Sequence, residues 1–371
     1  MIRWMLPDQL FDGEGLRSGL ALGLKDGRVA ELETATALAS DIAITRLQGT
    51  ISPGFVDLQV NGGGGALLNN APKAATIRTM VAAHRRLGTT GILPTVITDA
   101  PKVLDLAVEA VLEVRHDPGV LGIHIEGPHI SRARRGTHAA EHIRPLDDRT
   151  IALVRRLRAD GVPVMITLAP EAVQAGQIRA LAALGAVVSI GHSDASAEAV
   201  KAALAEGASC FTHLFNAMSP MLTRAPGVTG AAINSDAYAG IICDGVHVDD
   251  SMVGLAIRAR PVADRMFLVS DAMATVGGPD HFRLYGQEIH VDHGRLVNAE
   301  GGLAGAHTTM TESLGRLINV VGIAPETAFR MAVTVPARLM ELEHRARLLG
   351  TRVDDLVLVA PGYSGAEPLA V

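Results

Sequence analysis

From residue 54 onward the chain alternates short apolar runs with stretches that for the most part carry a helical period. The apolar runs fall at 54–60 (GFVDLQV), 91–97 (GILPTVI), 121–126 (LGIHIE), 163–168 (PVMITL), 187–192 (VVSIGH), 209–213 (SCFTH), 239–244 (AGIICD) and 266–271 (MFLVSD). Helical patterns lie at 73–88, 101–115, 147–160, 171–184, 195–206 and 249–260, with one more at 307–321. The runs are continuously apolar rather than alternating, as expected of parallel strands covered on both faces. Eight such units over about 280 residues predict a (β/α)8 TIM barrel, whose chemistry sits at the C-terminal ends of the strands. A doubly wound open sheet competes, but it would want a glycine fingerprint leading from the first strand into a helix. Here NGGGG (61–65) runs into ALLNNAPK, with no helix directly after it.

The flanks read differently. Short β-type pieces around Asp-Gly and Pro-Gly turns occupy residues 1–50 and 335–371. Both ends are expected to meet in one small β domain beside a barrel of residues 51–334.

Composition narrows the function. Hydrophobic residues at 48% and charged residues at 19% allow a large core, and only 3% aromatics leave it to Ala, Val, Leu and Ile. A net charge of −6 argues against nucleic acid or an anionic membrane as partner, though not against a small anionic substrate. The two cysteines, Cys210 and Cys243, sit in apolar runs, so a disulfide framework is not expected and a reduced, cytoplasmic setting is. The start MIRWMLPDQL lacks the apolar stretch of a signal peptide, and no run of about 18 apolar residues suggests a membrane span.

Four polar residues close separate strand runs: Glu126, His192, His213 and Asp271. A lone histidine at a strand end is ordinarily a satisfied polar group. One carboxylate and two imidazoles at equivalent ends instead read as three metal ligands, with a fourth position left to water. Such a site lowers the pKa of bound water to about 7. Asp271, followed by AMATVGG (read as a flexible segment), would act first as general base and then as general acid. Its alternative is a turn or N-cap aspartate; a neighbouring cation would keep it ionised. His138, in the loop RARRGTHAAEH, would donate to a developing oxyanion. Arg132, Arg134 and Arg135 in the same loop read as a solvated strip. His247 in DGVHVDD is a second loop histidine at the same barrel face, and Asn216 and Arg224 in HLFNAMSPMLTRAPG would hold polar or anionic substrate groups.

PGFVDLQVNGGGG, GIHIEGPHI with RRGTH, IGHSDAS, THLFNAMS, GIICDGVHVDD, LVSDAMA and LAGAHTTM occur in this order over residues 53–310. As an ordered set they resemble the N-acetylglucosamine-6-phosphate deacetylase family of the amidohydrolase superfamily. The resemblance implies a (β/α)8 barrel with a small β-sandwich built from both termini. It makes Glu126, His192 and His213 the ligands of a divalent metal and Asp271 the catalytic acid/base. It makes His138 the group that polarises the acetamido carbonyl. Thr137 and His138, Asn216 and Ala217, Arg224, the segment Asp244, Gly245, Val246 and His247, and Leu303, Ala304 and Gly305 match sugar-phosphate contacts. A homodimer is implied, with Arg224 reaching the partner's site.

One departure bears on the metal count. The superfamily's first strand usually ends in His-x-His, which supports a second metal, and here those positions are Gln59 and Asn61. Amides are no substitute for imidazoles, so one ion per subunit is expected: zinc, with iron, cobalt or manganese also accepted by this donor set. His307 stands where a small residue is more familiar, and nothing in the sequence accounts for it.

The expected reaction is hydrolysis of the N-acetyl group of N-acetylglucosamine 6-phosphate to acetate and glucosamine 6-phosphate. The galactosamine epimer is the nearest rival substrate. A cyclic amidohydrolase is disfavoured, because VMITLAP, ending at Pro170, lacks the lysine such enzymes commonly carry on the fourth strand. A non-catalytic sugar-phosphate-binding protein would be free to lose Asp271 or a ligand, and all four residues are present.

Overall fold

A computed structural model describes residues 2–297 and 301–370 of the chain. Its centre is an eight-stranded parallel sheet: Phe55–Val60, Thr89–Ile97, Ile123–Glu126, Val164–Leu168, Val187–Ile190, Cys210–Phe211, Tyr238–Ile241 and Met266–Leu268. Neighbours in the sheet follow chain order, and each falls within or beside a run predicted from the sequence. Every residue of the first two strands is buried, as the continuous apolar pattern requires.

The sheet rolls nearly shut. No full ladder joins the eighth strand to the first. Instead Val60 and Ala272 form a single parallel bridge, and the Asn61 and Gly62 N–H groups both donate to the Ala272 carbonyl, at 2.9 and 3.0 Å. Below that bridge the Asp57 carboxylate accepts from the Ser270 hydroxyl and from the Ser270 and Gln59 N–H groups. Burial pushes the Asp57 carboxyl up to about 7, against the opposing pull of those hydrogen bonds.

Helices cover the outside, and their starts follow local capping chemistry. Asp147 caps Asp148–Ala159, Ser196 caps Ala197–Ala205, Asp249 caps Asp250–Ala259, and Thr309 with Glu312 forms a capping box on Met310–Asn319. The helix expected at 171–184 is shorter, a 3₁₀ turn at Pro170–Ala172 followed by Gln177–Ala183. Gly176 between them has φ +85°, and its N–H donates to the Glu206 carboxylate, so no continuous helix passes through it.

Three parts of the barrel were not expected, one of them the helical stretch from Pro325 to Leu339. A fully buried helix, Gly227–Ile233, follows the sixth strand. After the eighth strand, His281–Leu284, Gln287–Asp292, Arg295–Val297 and Leu303–Ala306 form an antiparallel four-stranded sheet. The segment read as flexible after Asp271 is packed: Ala272 to Val276 are all buried, and Met273 N–H donates to the Ala306 carbonyl at 3.2 Å.

The two termini do join. Arg3–Phe11 lies parallel to Ile44–Pro53, which pairs on its other side with Leu356–Val359; Leu16–Arg17, Leu20–Lys25, Arg28–Thr34 and Ala366–Pro368 complete a seven-stranded sheet. Ile44–Pro53 runs through Gly54 straight into the first barrel strand, which fixes this sheet to the barrel.

Candidate active site

The strand ladders stop at Ile190, Phe211 and Leu268, two or three residues short of His192, His213 and Asp271. Those three have φ of 48°, 31° and 52°, left-handed values that cost a non-glycine residue on the order of 1–2 kcal/mol each. Surrounding bonds impose them: the His192 carbonyl accepts from Ser131 at 2.8 Å, that of His213 from Asn216 at 3.0 Å, and that of Asp271 from Ala306 at 3.0 Å. The chain thus leaves each strand early, and the side chains converge at the barrel mouth.

Glu126 Oε1 lies 3.2 Å from His192 Nε2 and 3.1 Å from His213 Nε2, and the two nitrogens are 3.0 Å apart. These separations approach the roughly 3.3 Å edge of a tetrahedron with zinc-like bonds. His192 Nδ1 donates to the Arg134 carbonyl at 2.9 Å, which leaves its Nε2 lone pair toward Glu126 and His213. His213 Nδ1 is buried without a partner among the described residues. Glu126, His192 and His213 therefore fit a divalent metal. Burial alone would raise the Glu126 carboxyl, but the two histidines beside it outweigh that and hold it well below the usual carboxylate range. His213 is moved up by the same contact despite its burial.

Gln59 and Asn61 serve the site as donors. Gln59 Nε2 donates to Glu126 Oε1 at 3.0 Å and to Asp271 Oδ1 at 3.1 Å, and Asn61 Nδ2 donates to Asp271 Oδ1 at 2.7 Å. Burial and then the Glu126 charge push the Asp271 carboxyl up to about 6. A carboxylate that titrates there can both take and return a proton near neutrality. Beneath the ligands, His124 Nε2 meets Thr167 Oγ1 at 2.7 Å, and burial lowers this imidazole to about 4, so it stays neutral.

The four residues open into a cleft of about 670 Å³, counting its mouth. Thr137, His138, Asn216, Ala217, His247, Leu303 and Gly305 also line it, as does Asn61. Asp244 does not, but its carboxylate accepts from His247 Nδ1 at 2.7 Å and from the Val246 and His247 N–H groups at 2.9 Å, which orients His247. Gly245 and Val246 belong to that turn rather than to the wall. Gln59 lies below the floor, and Ala304 is buried in the apolar core of the four-stranded sheet. Arg224 is exposed and outside the cleft. His307 is half-buried, with Nδ1 2.9 Å from Thr275 Oγ1 and no place in the wall.

Sequence reasoning missed Ile97, Gly136 and Met273, which line the cleft, and Thr98, whose hydroxyl lies 2.7 Å from His138 Nδ1. Ile97 ends the second barrel run and Thr98 follows it directly, at the same strand end where Glu126 stands on the third run.

The amidohydrolase family profile matches residues 50–351. The chain belongs to the amidohydrolase family. Among its amidohydrolase relatives, an N-acetylgalactosamine-6-phosphate deacetylase of Shewanella sp. (strain ANA-3) is 40% identical over 86% of this chain and 82% of its own. An N-acetylglucosamine-6-phosphate deacetylase of Haemophilus influenzae is 35% identical over 90% and 87%. The solved N-acetylglucosamine-6-phosphate deacetylase of Pasteurella multocida superposes with a TM-score of 0.90 at 30% identity, over 99% of this chain and 97% of that one. A mutant of the Mycobacterium smegmatis enzyme, in complex with N-acetyl-D-glucosamine-6-phosphate, gives 0.88 at 29% identity, over 98% and 96%.

Proposed function

We propose that the protein hydrolyses the N-acetyl group of N-acetylglucosamine 6-phosphate, giving acetate and glucosamine 6-phosphate. The observation that carries this reading is the convergence of Glu126, His192 and His213 beside a half-buried Asp271 in one cleft. A divalent ion held by those three ligands, zinc in our reading, would polarise the amide carbonyl and make a water acidic enough to attack at neutral pH.

The protein's own groups do the rest. Asp271, held by Gln59 and Asn61, takes a proton from the attacking water and passes it to the departing amine. His138, across the cleft, donates to the carbonyl oxygen as negative charge builds there. His247 gives its Nδ1 proton to Asp244, so its other nitrogen accepts from a sugar hydroxyl. Asn216 and Thr137 add polar contacts, and Leu303 covers the apolar face of the sugar.

In this reading the protein is a homodimer. Exposed Arg224, with exposed Met221 and Leu222 beside it, reaches the phosphate in the partner's site. Residues 1–50 and 335–371 form a small β-sandwich domain beside a barrel of 51–334. The helix Val335–Leu339 packs into the barrel core, so the two share an apolar boundary. A cytoplasmic location fits two buried free cysteines; among the described residues no helix is long and apolar enough to cross a membrane.

The galactosamine epimer is kept as a second reading because the Shewanella relative carries that name. Free amine released from the two epimeric acetamido sugar 6-phosphates tests both. The glucosamine epimer should be the faster; the reverse order would move the assignment to the rival. No amine from either, with zinc, iron, cobalt or manganese supplied, would end the enzyme reading.

A further inference from the structure

His138 and His192 pack with ring centroids 4.3 Å apart and planes tilted by 48°, yet their Nδ1 atoms face different kinds of partner. His192 Nδ1 meets a backbone carbonyl, which only accepts, so its hydrogen sits on Nδ1. His138 Nδ1 meets the Thr98 hydroxyl at 2.7 Å, and a hydroxyl can do either. The surroundings of Thr98 decide. Its side chain is fully buried, and among the described residues its hydroxyl has no hydrogen-bond partner besides His138 Nδ1. If Nδ1 carried the hydrogen, the hydroxyl proton would be buried with no acceptor, at a cost of about 1–3 kcal/mol. If the hydroxyl donates to Nδ1, its one donor is satisfied.

We propose that Thr98 is a positioning residue that sets the His138 tautomer, leaving the hydrogen on Nε2, the nitrogen free to meet a substrate oxygen. This rests on the reading of His138 as oxyanion donor. In the opposite tautomer Nε2 would present a lone pair to a developing negative charge and repel it.

The local fold holds Thr98 in this place. Its carbonyl accepts from the Tyr285 hydroxyl, at a turn of the four-stranded sheet. A Cβ on Gly127, which has φ +77°, would come within 2.2 Å of the Thr98 hydroxyl oxygen, so only glycine leaves room for it.

The test combines a spectroscopic and a kinetic readout on the zinc-loaded protein. Ring nitrogen shifts of ¹⁵N-histidine-labelled protein, with His138 assigned by its loss in His138→Gln, should show a neutral ring protonated at Nε2. Protonation at Nδ1 would overturn the proposal, whether or not any variant folds. Thr98→Val should lower kcat about tenfold to a hundredfold with KM nearly unchanged and metal content intact, and Thr98→Ser should restore it. A Thr98→Val enzyme with wild-type kcat would also overturn it. His138→Gln at full kcat would instead remove the catalytic role of His138, while the ring spectrum still reported whether Thr98 sets the tautomer.

Discussion

Asp271 concentrates the chemistry at the residue scale. It is half-buried, its carboxyl rises to about 6, and two amide side chains donate to the same Oδ1. An asparagine would keep an acceptor oxygen for Gln59 and Asn61 but could not take a proton. Asp271→Asn should therefore bind metal as the wild type does and lose about 10²–10⁴ in kcat. Normal turnover in that variant would refute the acid/base role and leave the metal site standing. The four central residues were legible because each closes an apolar run. Gln59 and Asn61 were legible only as departures from a two-metal pattern. Their role as donors to Asp271 needed coordinates, since an amide's direction is not written in its neighbours. The positive φ values of His192, His213 and Asp271 were equally hidden, because nothing in GHSD, THLF or SDAM marks a left-handed backbone.

Among the elements, strand positions came through best. Parallel strands buried on both faces leave unbroken apolar runs, and the helix between two of them shows its own period. The prediction failed where those signals compete. Gly227–Ile233 is short and wholly buried, so it has no polar face to show a period. The four-stranded sheet could have been found. Phe282, Leu284, Ile289 and Leu296 alternate with polar residues, and Tyr285-Gly286 and His293-Gly294 are turns with positive φ at both positions. Its core is small, with Leu296 fully buried against Phe282, Leu284 and Ile289. Leu296→Ala should cost this unit about 2–5 kcal/mol. Hydrogen exchange should then rise across 281–297 and 303–306, with the barrel strands unaffected. A uniform rise through the barrel would show that the sheet does not open independently.

In the whole molecule, the links that close the barrel seam include one parallel bridge and the buried Asp57 carboxylate. Asp57 titrates near 7 in the folded protein, against a usual value of 3.8. Protons are therefore held more tightly by the folded state between those values. The stability this contributes is complete below pH 4 and lost as pH rises to 7, at up to about 1.4 kcal/mol per pH unit. In metal-free protein, denaturant titrations should show the wild type losing ground to Asp57→Asn across that range. A difference that stays flat with pH would mean Asp57 is ionised at the seam. Nothing in FVDLQV signals this, because the partner, Ser270, lies at the far end of the barrel sequence. That the two termini share a sheet was readable from their β-type pieces; that Ile44–Pro53 continues into the first barrel strand was not.

Acetate release from N-acetylglucosamine 6-phosphate by chelator-stripped protein, followed as zinc is titrated back, tests whether one metal ion at this site supports the hydrolysis. Release should be negligible without metal and fully recovered at one equivalent per chain, through Glu126, His192 and His213. Undiminished release by the metal-free protein, or recovery only at two equivalents, would contradict a one-metal hydrolysis.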